Sequence, residues 1–309
     1  MVALLAVFAW SMFADSPEDA EPPPPPETSS TIPEPTGPRV LDPGAQPRQV
    51  LRLDFTEGEQ VSFQVVTDLD VTQTTGEERD EQQVDTPAVV QVMTMTVDRV
   101  HDDGAEAEVS FEVTAASVYP EDRFAQETID EMNLGLGALV GLGGSGRIAQ
   151  TGEVTSFEYR YEGDDPAVVE SLDQMASQLQ ALTPSFPAEP LGVGARWVEE
   201  TQAQLSGVSF SQATTYELID MTDGAIEFSS TVEQSAGPQD LDLGEAGEAR
   251  LTSYSGSGSG SGLFTLSNLV ASGSTSMSAE QVIVLTPQEG AEVELTQSLT
   301  LELVIDVLW

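Results

Sequence analysis

The chain is 309 residues long, room for one large or two modest domains with a substantial core, and it carries 53 acidic residues against 10 basic ones, all of them arginine. A net charge of -43 repels phosphate backbones and anionic bilayers, which argues against nucleic-acid binding and against electrostatic docking on acidic lipids. Cysteine is absent, which removes disulfides, thiolate metal sites and thiol nucleophiles together.

The first segment, MVALLAVFAWSMFA (1–14), is apolar but shorter than the about 20 helical residues that span a bilayer, and reads as a signal-peptide core. It lacks a positive start, and Met12 is larger than the residue preferred before a cut after Ala14, which favours a signal that stays attached as an anchor or an incomplete start. With no Cys behind it, lipid attachment through a lipobox is excluded. Residues 15–49 contain PEDAEPPPPPE, TIPEPTGP and DPGAQP, a composition that cannot bury enough apolar surface to order itself. They predict a disordered linker, either a spacer from an envelope surface or a tolerated tail.

From residue 50 the pattern turns to alternation, which predicts strands. VLRLDF places Leu51, Leu53 and Phe55 on one face, and VSFQVVTDLDV does the same with Val61, Phe63, Val65, Leu69 and Val71. TTGEERDEQQVDT, from Thr74, reads as a polar acidic loop. Residues 89–118 then form the strongest hairpin signal, two alternating runs about Asp103-Gly104, with Ala105, Ala107, Val109, Phe111 and Val113 inward on the second arm. The first four strands predict an antiparallel meander.

After Tyr119-Pro120 an acid-rich helix is expected, followed by a Leu/Gly/Val run from Leu134 to Gly146. Two readings of that run stand open: a helix end under the sheet followed by a loop, or a mobile apolar flap made of Leu134, Leu136, Leu139, Val140 and Leu142 with glycine hinges. GRIAQTGEVTSFEYRYE (146–162) reads as a turn followed by a strand, with Val154, Phe157, Tyr159 and Tyr161 available for packing. In 164–184, Val168, Leu172, Met175, Leu179 and Leu182 repeat at helical spacing behind Pro166, predicting a central helix over 166–182.

The second half is read as strand almost throughout. It contains an echo of the first hairpin at Asp223-Gly224, with Ile226, Phe228 and Val232 inward but displaced by one position after the glycine. SGSGSGSG (255–262) is either a flexible connection or a strand so thin that another backbone lies against it. The last strand keeps Val293, Leu295, Leu299, Leu301, Leu303, Ile305 and Val307 on one face. These elements predict a mainly β chain with one or two helices (α+β): a large curved antiparallel sheet or half-barrel wrapped on a central helix. The domain plan is a signal-like segment (1–14), a linker (15–49) and a β-rich domain (50–309), with candidate related halves at 50–163 and 190–309 joined by helix 166–182.

At FPAEPLGVGARW, with Pro187, Pro190, Gly194 and Trp197 in a Pro-x-x-Pro-x-x-x-Gly-x-x-Trp element, the sequence resembles a family of exported bacterial proteins, often lipoproteins, of unknown activity. LRLDFTEGEQVSFQV and GSGLFTLSNLVASG are similar to it too, so the resemblance covers about 50–309. It implies a β-rich fold in the periplasm or at the cell surface. The plan also resembles the half-barrel of periplasmic lipoprotein carriers in architecture alone.

No chemistry is marked. His101 is the only histidine and stands beside a hairpin turn with Asp102 and Asp103, a poor setting for a triad or a zinc site. Acidic residues cluster at Asp68 and Asp70, at Glu77 to Glu81, at Asp102 and Asp103 and at Asp240 and Asp242, without the spacing of an EF-hand loop. No catalytic residue, metal or cofactor is predicted. The expected function is a non-enzymatic, envelope-associated binding or carrier module, holding an apolar ligand or an envelope protein's segment on the curved sheet, with membrane contact only through the N-terminal segment. The alternatives are an acidic structural or adhesive surface protein using cations, and a hydrolase using two carboxylates.

Overall fold

The computed structural model describes residues 37–75, 80–101, 104–119, 123–159, 184–205, 208–222, 224–242, 248–286 and 292–308. In chain order its elements are β1 (Arg39–Asp42), β2 (Gln60–Thr75), β3 (Asp80–Asp85), β4 (Val89–His101), β5 (Glu106–Val118), α1 (Gln126–Gly137), β6 (Gly143–Ala149) and β7 (Val154–Tyr159), then β8 (Arg196–Leu205), β9 (Val208–Thr222), β10 (Ala225–Ala236), β11 (Gln239–Asp242), β12 (Glu248–Thr265), β13 (Ser272–Thr286) and β14 (Val293–Leu308). All strands join one 14-stranded sheet in the order β1-β8-β9-β10-β12-β13-β14-β2-β4-β5-β6-β7, with β3 beside β2 and β11 beside β12. Every pairing is antiparallel, and β1 and β7 end the path unjoined, so the sheet stays open. The chain is therefore mainly β, with one helix among the described residues. The expected helix 166–182, the apolar segment 1–14 and most of the linker fall outside them.

Both expected hairpins form. In β4–β5, Met95 lies opposite Phe111 and Val97 opposite Val109, and Ala107, Val109, Phe111 and Val113 are buried. Gly104 takes φ +97° and Gly224 takes φ +81°, a region in which a β-carbon would be strained. His101 pairs with Glu106 across the first turn, whereas Thr222 pairs with Ala225 across the second. The loops thus differ in length, which is why the apolar positions sit one residue later after Gly224. The two runs of strands are not separate sheets, because β14 pairs with β2 from Leu295–Thr75 to Leu308–Ser62.

Three local expectations need correction. Residues 37–49 are part of the fold: Arg39 pairs with Val198, and Gln49 and Leu191 exchange backbone hydrogen bonds of 2.8 Å. Composition predicted a linker there, and long-range backbone pairing overrides it. Residues 51–55 alternate as a strand would, yet they join no ladder. Leu51 and Leu53 are fully buried while the Leu53 N–H donates to Gln150 O, just after β6, and the Asp54 N–H to Leu266 O, just after β12, so this stretch links two strands that are far apart in the sheet. Finally, the acidic stretch expected as a loop contains β3, whose Gln83 lies opposite Thr72.

A single large core draws on strands near both ends of the path, from Met95, Val109 and Ile148 to Trp197, Leu218 and Ile226, with Phe63 and Ile305 between them. The sheet therefore curls over a shared interior. β12 shows how the curl is tolerated. Its glycines 256, 258, 260 and 262 face inward, and side chains from both neighbouring strands occupy the space their β-carbons would fill. Phe228 lies directly opposite Gly262, and a β-carbon at Gly262 would stand 2.6 Å from its ring. The Ser/Gly repeat is thus a strand interior rather than a flexible connection, with small residues where the concave side is most crowded.

Candidate functional site

The concave face holds a cavity at the level of the Gly strand. Its wall combines the aromatic rings of Tyr216 and Phe228, the apolar side chains of Val232 and Ile305, and the hydroxyls of Thr214, Ser230 and Thr275, with Pro184 at one end. Alternation in β9, β10, β13 and β14 brings these residues to one face. Glycine at 262 and 273 keeps the floor low. The cavity encloses about 30 Å³, room for roughly two waters. That size suits the end of a chain rather than a whole ligand.

Behind the aromatic wall is a ring cluster that fixes its position. Trp197 stacks on Tyr216 with centroids 5.2 Å apart, Tyr216 meets Phe228 edge-on at 6.0 Å, and Phe186 bridges Trp197 and Phe264. The Trp197 indole N–H donates to Ser185 O at 3.0 Å, which satisfies the one polar group it buries. The Pro-x-x-Pro-x-x-x-Gly-x-x-Trp element explains itself here. Pro187 O accepts from Arg52 Nη1 at 2.9 Å, Gly194 turns with φ +80° and donates to Leu218 O, and the turn delivers Trp197 into the core.

Glu199 stands two residues beyond Trp197 on the same face of β8 and lies opposite Thr214, a cavity-wall residue. Burial raises its carboxyl pKa above the ordinary value of 4.5, and a hydrogen bond with Ser185 offsets part of that rise. Burial first, and then the nearby Glu199 carboxylate, push the Tyr216 phenol far up, so it stays neutral. Because the folded-state pKa of Glu199 is raised, its contribution to stability is fully present below about pH 4.5 and lost as pH rises through the folded value. Glu199→Gln should therefore equal the parent in stability near pH 4 and exceed it at neutral pH. Urea titrations at both pH values check this, and a variant weaker at neutral pH would contradict it.

The five residues of the expected flap do not share one environment. Leu136 and Leu139 are in the core at 1% and 6% exposure, Leu142 packs partly against it, and Leu134 and Val140 are exposed at 82% and 47%. The end of α1 carries Leu136 inward and Leu134 outward, and the turn after Gly137, in which the Leu139 N–H donates to Leu136 O, brings Leu139 into the core. Leu139→Asp should cost about 3–5 kcal/mol, an unpaired charge in the core, while Leu134→Asp should stay within about 0.5 kcal/mol of the parent. Chemical denaturation of the two variants separates these outcomes.

His101 pairs with Glu108 at 3.0 Å, and Arg147 reaches Glu106 and Glu108 at 3.3 and 3.2 Å. The His101 ring, with Nε2 3.0 Å from Glu108 Oε1, is the main reason the Glu108 carboxyl is held below its ordinary pKa. This is a partly solvated ion-pair group across β4, β5 and β6. Among the described residues no group of His, Asp and Glu is arranged to hold a metal. Sequence reasoning read Phe228 as inward without assigning it to a site, and missed the wall residue Tyr216 and the inward acid Glu199. The signal available was an acid at an inward position of a strand, two residues from a tryptophan.

No family model matches the sequence, and no curated protein matches it. The resemblance drawn at Pro187 to Trp197 therefore has no matching family behind it. Among solved structures, Salmonella typhi OmpF in complex with daunomycin aligns over 81% of this chain and 98% of its own, at 8% identity and a TM-score of 0.25. Acinetobacter baumannii OccAB4 aligns over 82% and 99% at 7% identity and a TM-score of 0.19. A deletion mutant of TodX, described as a monoaromatic hydrocarbon channel, aligns over 82% and 90% at 10% identity and a TM-score of 0.18. Likenesses this slight carry no conclusion about the present chain.

Proposed function

We propose that this is an exported, envelope-associated, non-enzymatic binding protein whose concave sheet face receives the end of an apolar chain. The observation that carries the reading is the cavity above the Gly strand, where Tyr216, Phe228, Val232 and Ile305 give an apolar wall and Thr214, Ser230 and Thr275 supply hydroxyls to fix an end group. Export rests on the apolar start and the Pro-rich acidic tract that follows it. The open sheet provides access that a closed barrel interior would not.

Native mass spectrometry of the full chain, followed by denaturation and solvent extraction of the same sample, tests this. The expected result is an extra mass that leaves on denaturation and extracts as an apolar molecule. Ser230→Leu, which fills the cavity, should lower that occupancy about tenfold. Thr231→Leu, its neighbour on the opposite face, should not. A bare chain in the parent protein, or equal occupancy in both variants, overturns the carrier reading, and a co-purifying polypeptide at the cavity would replace the ligand with an envelope partner.

A further inference from the structure

Two hydroxyls of the cavity wall are left without partners. Thr275 is 8% exposed and Ser230 is half-buried, both line the cavity, and neither hydroxyl is engaged in a hydrogen bond among the described residues. Polar side chains this deep in a fold ordinarily have a partner. Valine has the shape of threonine and no polar atom to satisfy, so packing alone gives no reason for a threonine at 275. Ser230, Gly260 and Thr275 lie in one row across β10, β12 and β13, each opposite the next. A β-carbon on Gly260 would stand 3.0 Å from Ser230 Oγ and 2.6 Å from Thr275 Oγ1, so the two oxygens lean from either side over the same glycine. The absent side chain leaves a slot between them in which one atom can meet both.

A third hydroxyl of the wall is already oriented. Tyr254 Oη donates to Gln234 Oε1 at 2.6 Å, Gln234 Nε2 donates to Gln212 Oε1 at 2.7 Å, and Gln212 Nε2 donates to Thr214 Oγ1 at 3.4 Å. The chain of bonds runs in one direction and ends on the Thr214 oxygen, which leaves the Thr214 hydrogen to be donated. Gln234 is 4% exposed, so burial holds the middle of the chain in place. The wall thus presents at least one donor, which an end group lacking an acceptor atom cannot use.

We infer that the cavity selects an aliphatic chain ending in a single uncharged oxygen, as in a primary alcohol, and clasps that oxygen between Ser230 and Thr275. An alcohol donates to one of these hydroxyls and accepts from the other, and each of them can play either part. The space, room for roughly two waters, takes one carbon and one oxygen. The apolar wall of Tyr216, Phe228, Val232 and Ile305 receives the carbons that follow. A carboxylate brings two oxygens and a charge to a wall with no charged residue, and a buried charge without a counter-charge is costly. Glu199, opposite Thr214 on the neighbouring strand, adds repulsion whenever it is ionised. An ammonium group has no acceptor lone pair for the Thr214 hydrogen and no carboxylate in the wall itself.

The inference rests on the apolar-chain reading, and the choice of ligands separates the two. Isothermal titration calorimetry of the full chain at about pH 8 compares 1-octanol, 1-chlorooctane, octanoate and octylammonium, the last two being charged there. The parent should bind 1-octanol at least about tenfold more tightly than octanoate or octylammonium. Thr275→Val should weaken 1-octanol about fivefold to tenfold and leave 1-chlorooctane unchanged, because only the alcohol loses a partner, whereas Thr275→Ser should keep the parent's affinity. Circular dichroism and the thermal midpoint check the fold of each variant, and Ser230→Ala takes the place of Thr275→Val if that variant does not fold. An equal effect of Thr275→Val on 1-octanol and 1-chlorooctane, or octanoate or octylammonium matching 1-octanol, overturns the inference while the binding of 1-chlorooctane keeps the apolar-chain reading. If neither 1-octanol nor 1-chlorooctane binds, both readings fall.

Discussion

Replacing Gly258 with valine should destabilise the fold by about 3 kcal/mol, the upper range of overpacking penalties. A β-carbon there would stand 2.7 Å from Ser276 O and 3.0 Å from Met277 Cβ, so the clash is partly with backbone that cannot rotate away. Valine is the better strand former, but that preference spans only about 1 kcal/mol, and the clash wins. The neighbouring Ser257 provides the control. It is on the convex face, and Ser257→Val should fall within about 0.5 kcal/mol of the parent or slightly above it. Gly260→Val belongs with Gly258→Val, since its β-carbon would meet Thr275 Oγ1 at 2.6 Å and Ser274 O at 2.8 Å. Urea denaturation of the three variants gives a pattern that alternates along one strand. Equal values at Gly258 and Ser257 would mean that β12 does not set the curl.

Trp197→Ala should cost about 3–5 kcal/mol, the range for removing a large buried aromatic. Trp197 is 1% exposed, stacks on Tyr216 and is linked through Phe186 to Phe264, so its removal opens a hole where inward faces from β8, β9 and β12 converge. Trp197→Phe keeps most of the ring contact and leaves Ser185 O without its donor, which should cost about 1–3 kcal/mol. Equilibrium denaturation with tryptophan and tyrosine fluorescence measures both. If the alanine variant lost no more than the phenylalanine one, the hydrogen bond rather than the stack would hold this corner. The result bears on function because Tyr216, which Trp197 backs, forms part of the cavity wall.

The cavity itself was not legible in the sequence. Thr214, Ser230, Thr275 and Ile305 belong to different strands; alternation marks Ile305 as inward, but nothing local marks the three hydroxyl residues or says that the four would meet. They meet because antiparallel register places four strands side by side and the glycines of β12 let that part of the sheet curl. The differing environments of the five flap residues were hidden for a related reason. Leu134 to Leu142 is apolar in composition, but whether each leucine turns in or out depends on where α1 begins and which strand it lies under.

Local physics fixed much of this protein before any tertiary contact is considered. Period-2 alternation determined the strands and inward faces of β2, β4, β5, β10 and β14, and Gly104 and Gly224 marked the hairpin turns, because each side chain's face follows from its own strand's pleat. Charge and the absence of cysteine were equally direct. Only the tertiary structure decided that residues 37–49 join the fold, that 51–55 link the loops after β6 and β12 instead of lying in the sheet, and that an acidic stretch contains β3. It also decided that a Ser/Gly repeat with no strand propensity of its own is a central strand. Those outcomes depend on backbone hydrogen bonds and packing between residues far apart in sequence, such as Gln49 with Leu191 and Gly262 with Phe228, and a window of neighbouring residues contains neither partner.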